Sequence, residues 1–488
     1  MKKIYILLLV SALFTTSCND WLDVKPQAKV EVNDLFASTK GFKDALVACY
    51  IKMNGNNLYG QALTMTITEY LAQFWDHTSG YYREEDKLKD FDYTTAFAES
   101  TFSNIYGNLY NVIAQANIVL DNLNNKKGVI KNENMHNLIQ AEALCIRAFC
   151  HMDVLRMFGQ LPQGGSRQVQ LPYAKEVSTA KVPYYPYQQF TEMLLADIES
   201  AQQLFRECDP VMTYTFGELD HFSGNADVEL EDEFMGYRRF RFNYYAAEAL
   251  KARLYLYMGN KEKALEAATN VISAKSKEGK PMLELAGNDE FNSKCYALPS
   301  ECILALNNDK IKENTDGLFG QQFLFLNKST FKQLFVGQDV SRNNRALHAW
   351  NTITDNQGTQ KHLLRKYQQP EKAEDISDMS VSIRHQVLPL MRLSEMYLIA
   401  IECATTLEDA NRYYKTYMEA RDVEAASLTE ANLQEEILNE YRREFFGEGQ
   451  MFYTYKRLNI KKMLWKRNRE VEEKDYIVPL PSTELGSN

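Results

Sequence analysis

Apolar positions recur at the helical period along most of this chain. Between residues 41 and 50 they fall at Phe42, Ala45, Leu46 and Cys49, one face of a helix. Residues 102–123 set Ile105, Leu109, Val112, Ile113, Ala116, Val119 and Leu120 on a single stripe. Residues 138–158 repeat the theme and run into Gly159, with Pro162 beyond, the order in which helices stop. Residues 187–205 form another such run, and 243–273 and 392–421 each predict a helical pair. Between these runs lie polar, ring-rich stretches with little helical period: 70–95, 206–242, 275–370 and 460–488. Segments of that length in a compact chain carry function or fold into small sheets. The polar, acidic block 371–380 reads as a surface loop. The predicted fold class is mainly α, helical repeats with a loop-rich subdomain containing minor β structure.

The 243–273 stretch is the most specific. A small residue (Ala252), an aromatic three later (Tyr255), a turn glycine (Gly259) and a small residue opening the next helix (Ala264) follow the tetratricopeptide pattern. Small residues let two antiparallel helices approach, and the ring fills the gap between them. Residues 392–421 give a looser copy, with Leu398, Ala410, Tyr414 and Tyr417. One such unit cannot bury its own face, so several should stack into a scaffold.

The first residues break from this pattern. Met1-Lys2-Lys3 is a basic start and Ile4 to Leu13 an apolar run too short to span a bilayer, as in a cleaved export signal over residues 1–17. Cys18 follows in the way a bacterial lipobox ends, with Thr15 where Leu is usual. Lipidation there would anchor the chain to a membrane, with residues 18–40 as lipidated N-terminus and tether and 41–488 as one helical domain. Gly is 22 and Pro 12 in 488 residues, so helix breakers are scarce, and 45% hydrophobic content excludes a disordered chain. Lys+Arg is 55 against Asp+Glu 65, a net charge of −10. That balance argues against nucleic acid, and the basic run 461–469 reads as a solvated face. Past residue 17, seven further cysteines follow Cys18 without a CxxC, so neither a zinc site nor a full set of disulfides is expected. Cys145 and Cys403 fall inside apolar helical patterns and read as core.

Catalytic signatures are missing: there is no GxSxG, HExxH, Walker A loop or GxGxxG. His348 and His362 lack partners at ligand spacing and read as surface or capping residues. Glu440, Glu444 and Glu448 share one helix face at spacing four. Glycosidase carboxyls must flank a bond from opposite sides, so an ion network with Arg442 and Arg443 is the expected role. The acidic run 225–233 could attract a structural calcium ion, but Leu230 stands where an EF-hand loop needs Gly, and a solvated loop is the simpler reading. No other cofactor or metal is expected. The rings in 70–83 mix with polar groups as sugar sites do. Trp75, Tyr81 and Tyr82, with Asp76 and His77 beside them, are the first ligand candidates, and Phe319 and Gln321 the second. Tyr184, Tyr185 and Tyr187 sit beside Pro183 and Pro186 and read as packing.

Four segments remain. The first runs from Cys18 to Pro26 through Trp21-Leu22-Asp23. The second is Glu142-Ala143 with Arg147-Ala148-Phe149, then Phe158-Gly159 and Pro162. The third is Arg392-Leu393-Ser394-Glu395. The fourth is Arg443-Glu444-Phe445-Phe446-Gly447-Glu448-Gly449, followed by Arg457 and Val478-Pro479-Leu480-Pro481. In order and spacing they resemble the SusD/RagB family of outer-membrane lipoproteins from Bacteroidetes; Thr15, Ser17 and Gly447 depart from its pattern. The resemblance implies a tetratricopeptide-like helical fold, a lipid-anchored, surface-exposed place on the outer membrane, and a SusC-like TonB-dependent transporter as partner. It implies a non-enzymatic protein that binds an oligo- or polysaccharide and delivers it to that transporter. A peptide or other nutrient as ligand, a glycoside hydrolase built on Glu444 and Glu448, and a pure interaction scaffold stay open beside it. No ligand residue transfers by motif, because the family's contact residues lie in variable loops.

Overall fold

The computed structural model describes residues 33–77, 83–178, 180–320, 323–368, 383–465 and 470–485. Its longer helices are α1 (Thr39–Met53), α2 (Ala96–Asn125), α3 (Glu133–Phe158), α4 (Tyr187–Cys208), α5 (Tyr244–Met258), α6 (Lys261–Ile272), α7 (Leu393–Cys403), α8 (Leu407–Ala420), α9 (Leu433–Glu444) and α10 (Met451–Arg457). From α1 to α8 each packs on the next in chain order. That is the layout of stacked helical hairpins, and the mainly α prediction holds. No helix among the described residues is long and apolar enough to cross a membrane.

The predicted stripes are buried, but some boundaries move. Helix α2 starts at Ala96 rather than near 102, where Thr95 caps it by accepting from the Ala98 N–H at 3.1 Å. In the tetratricopeptide-like pair, Asn243 caps α5 and Gly259 ends it at φ +78°. A Cβ at Gly259 would meet only the movable end of the Gln163 side chain, so it is the left-handed backbone that favours glycine there. The looser copy is also real: α7 and α8 form a pair, and Ala410, Tyr414 and Tyr417 are buried in it.

Helix α3 is buried on every side from Ala141 to Phe158. Its charged residues are therefore paired inside the array. Arg147 grips both carboxylate oxygens of Asp197, at 2.7 and 2.6 Å. Glu142 meets Arg238 at 2.5 Å and accepts from the Tyr50 hydroxyl at 2.7 Å. His151 accepts from the Ala174 N–H, and burial pushes its pKa down to about 3, so it stays neutral. The seven described cysteines are buried, Cys145 and Cys403 among them.

The minor β structure is there. β1 (Leu171–Pro172) pairs with β2 (Tyr184–Tyr185), and β3 (Cys302–Asn307) runs antiparallel to β7 (Val387–Arg392). A three-stranded sheet has the order β4 (Leu326–Asn327), β6 (Gln360–Leu364), β5 (Trp350–Thr354). Only β3 to β6 fall in a predicted loop-rich stretch, 275–370; β1, β2 and β7 lie outside those stretches. Asp355 closes the β5–β6 turn by accepting from the Gln357 and Thr359 N–H groups, with Gly358 at φ +77°. The acidic run 225–233 spends carboxylates internally: Asp232 pairs with Lys43 at 2.6 Å, and Glu231 accepts from Asn132 and Asn134. Among the described residues no group of three or more ligating side chains converges.

Candidate functional site

The three glutamates form the frame on which the site stands. Helix α9 ends at Glu444, so Glu448 does not continue the face of Glu440 and Glu444. Gly447 and Gly449, at φ +77° and +71°, turn the chain and bring Glu448 back to the same cluster. Arg392 contacts Glu301 at 2.9 Å, Glu444 at 2.7 Å and Glu448 at 2.7 Å. Arg421 bridges Glu301 at 2.8 Å and Glu444 at 3.0 Å. Arg345 and Arg443 hold Glu440 at 2.6 and 2.5 Å, and Lys366 reaches Glu448 at 2.5 Å. Burial alone would raise the Glu444 pKa; Arg421, Arg392 and Arg345 outweigh it and hold the carboxyl well below its usual range. All three glutamates are interior, paired and out of reach of a substrate. The cluster ties α8 and α9 to β3, β7 and the chain after β6.

Beside it lies an aromatic hub. The Trp75, Trp350 and Trp465 rings stand edge-on to Phe446 at 4.8, 4.9 and 6.1 Å, and Phe74 stacks on it at 4.3 Å. Glu69 anchors the 70–77 segment from below by accepting from the Gly447 and Gly449 N–H groups at 3.2 and 2.9 Å. Burial pushes its pKa up to about 8. Asp76 then pairs as an isolated β-bridge with Phe325 and accepts from the Asn327 N–H at 2.8 Å. Two ring-rich segments some 250 residues apart in sequence thus meet at one place.

Next to that junction a cleft of about 250 Å³ opens between residues 315–320 and the β5–β6 hairpin. Phe319, Leu363 and Leu364 are its buried apolar floor; Asp316, Asn351, Arg365 and Gln368 are its polar rim. Arg365 donates to Gln368 at 2.8 Å and lies over the Tyr296 ring at 5.1 Å, which fixes its reach. Phe323, 47% exposed, carries the Arg83 guanidinium over its ring at 5.2 Å. An apolar floor with a few positioned polar groups is the chemistry of a small-molecule site.

The predicted residues fare unequally. Trp75 is 2% exposed; Phe319 and Phe446 edge its ring, and its Nε1–H donates to the Met65 carbonyl at 2.8 Å. It is a strut under the site and offers no open face for stacking. Asp76 is spent on the bridge. His77 stacks on Tyr70 at 5.6 Å and contacts Asp86 at 3.2 Å, inside the segment. Phe319 does line the cleft. Tyr81, Tyr82, Gln321 and Cys18 lie outside the described residues. His362 is not a surface residue: it is buried and stacked on Phe331 at 3.9 Å. Its pKa falls to about 4 through burial. Asn351, Arg365 and Gln368 were missed. Polar residues on a hairpin rim carry no sequence signature; the only signal was the turn Asp355–Gly358 that builds the hairpin.

Comparison with known proteins bears on what such a frame belongs to. A family model described as starch-binding, associating with the outer membrane, matches residues 20–207, and the SusD family model matches 253–483. Between them they take in most of the chain. The curated relatives SusD-like protein P25 and SusD-like protein P2 of Formosa agariphila are each 25% identical, over 33% and 42% of this chain. Those matches span only 30% and 38% of the relatives' own lengths. A SusD superfamily structure from Bacteroides thetaiotaomicron superposes with TM-score 0.68 at 20% identity, covering 92% of this chain and 98% of that one. A laminarin-binding SusD-like protein superposes with TM-score 0.61 at 18% identity, covering 91% and 97%. Those identities speak to the fold, and the fold agrees along nearly the whole chain. The Arg-Leu-x-Glu and Arg-Glu-Phe-Phe-Gly-Glu-Gly segments supply the buried ion cluster and the aromatic hub, and the chain that carries them belongs to the SusD/RagB family.

Proposed function

We propose that this protein is a glycan receptor of the outer membrane, held by a lipid on Cys18, that binds an oligo- or polysaccharide in the cleft beside Phe319 and Arg365. It then hands the glycan to a SusC-like TonB-dependent transporter. The carrying observation is the cleft itself, where a buried apolar floor of Phe319, Leu363 and Leu364 meets a polar rim of Asp316, Asn351, Arg365 and Gln368. The starch-binding description of the family model and the laminarin-binding neighbour support a glycan as ligand. A hydrolase built on Glu444 and Glu448 finds no support, since both carboxylates are buried against arginines and a lysine.

The test is calorimetric titration of the soluble Cys18→Ala chain with laminarihexaose and maltohexaose. Arg365→Ala with Asn351→Ala should weaken binding at least tenfold while the fold stays intact. Undiminished binding removes the site from this cleft. Release of reducing ends by the pure protein would refute the receptor reading.

A further inference from the structure

A second cleft shares no residue with the first. Ser103, Tyr106, Gly107 and Tyr110 are spaced 3, 1 and 3, so they share one face of α2. Against them stand Pro172 of β1, Tyr184 of β2 and Glu484 of the tail helix Ser482–Leu485, enclosing about 390 Å³. That lies within the roughly 300–1,000 Å³ of small-molecule sites. The Tyr106 and Tyr110 rings are 4.6 Å apart. The Tyr110 hydroxyl donates to the Pro172 carbonyl at 2.6 Å and the Tyr184 hydroxyl donates to Glu484, so both rings are fixed at their tips. Lys181 Nζ sits 5.7 Å over the Tyr184 ring.

Gly107 has no explanation within the fold. It lies inside a 30-residue helix, where glycine is disfavoured relative to alanine. Its φ is not left-handed, and a Cβ there would meet nothing within 4 Å. Neither backbone geometry nor packing asks for glycine. What its missing side chain does is leave the wall of the cleft open beside Tyr106 and Tyr110.

We propose that this tyrosine-lined cleft is a second carbohydrate site, taking one or two sugar units of the same glycan. The half-buried Tyr110 and Tyr184 rings, with the buried Tyr106 behind Tyr110, meet the C–H faces of a pyranose, and the Ser103 and Thr483 hydroxyls, Glu484 and Lys181 meet its hydroxyl groups. The rim carries one acid and one base, so the charge favours a neutral ligand over an ionic one. The proposal rests on the glycan-receptor reading and adds a second point of attachment in a cleft that shares no residue with the first.

Gly107→Leu fills the cleft from a position with free space, and leucine favours a helix, so the variant should fold. Titration with laminarihexaose and maltohexaose should give two equivalents for the wild type and one for Gly107→Leu. Tyr184→Ala should weaken that same equivalent at least tenfold. Arg365→Ala with Asn351→Ala should remove the other equivalent. One wild-type equivalent, lost in the Arg365 and Asn351 variant and untouched by Gly107→Leu, overturns the second site and keeps the first. One equivalent lost only in Gly107→Leu keeps this site and overturns the first. A wild type that binds neither sugar overturns both.

Discussion

In the ion cluster at the end of α9 the charged residues lie inside and paired, whereas at the neighbouring cleft the rings lie inside and the polar groups edge the opening. Glu444 sits among Arg345, Arg392 and Arg421 with no access to solvent. Trp75 sits among Phe319 and Phe446 in the same condition. One looks like a catalyst in the sequence and the other like a sugar platform, and both are structural. The polar groups that line the cleft are plainer ones, Asn351 on β5 and Arg365 and Gln368 just after β6. Residue type announces chemistry; exposure decides whether the chemistry is available.

Replacing Glu444 strikes the comparison hardest. Glu444→Ala leaves three buried guanidinium groups without their shared anion and should destabilise the fold by about 3–5 kcal/mol. Urea denaturation gives the number; a loss below about 1 kcal/mol would mean the cluster is dispensable. Next comes Trp75→Ala, expected to cost about 3 kcal/mol of stability through the cavity left in the hub. If instead sugar affinity collapses while stability is unchanged, Trp75 is a binding residue after all.

Glu69 links the two regions and should make stability depend on pH. Its folded pKa is raised from about 4.5 to about 8 by burial. The folded state therefore holds a proton that the unfolded chain releases above about 4.5. Its contribution is full below that pH and is lost as pH rises toward 8, by about 1.4 kcal/mol per unit. Glu69→Gln should flatten this slope in denaturation series between pH 5 and 7.5; an unchanged slope would assign it to other groups. The smallest effect on the fold is expected at the rim. Arg365→Ala should shift stability by no more than about 0.5 kcal/mol, and lower sugar affinity by about 1.5–3 kcal/mol, the worth of a charged hydrogen bond. A melting shift as large as that of Trp75→Ala would make Arg365 part of the frame.

Much of the array was legible because burial on one side of a helix leaves a period in the sequence. The stripe of α2, the small-residue pattern of α5 and α6, and the looser copy in α7 and α8 all follow from local spacing. Helix α3 was legible as a helix but not as the centre, since a helix buried all round has no amphipathic face. The ion cluster was legible only in its α9 glutamates. Arg345, Arg392, Arg421 and Glu301 come from four other segments, and no local spacing connects them.

The amino-acid sequence alone determined the helical class, the paired repeats, the family and the structural role of the α9 glutamates, because each is written in short-range periodicity or in contiguous motifs. The tertiary structure alone decided that Trp75 points inward, that Glu448 turns back through two glycines, and that residues 315–320 meet the β5–β6 hairpin to form a cleft. Exposure and long-range pairing depend on which segments come to lie against one another, and the local pattern of a chain does not record its distant neighbours.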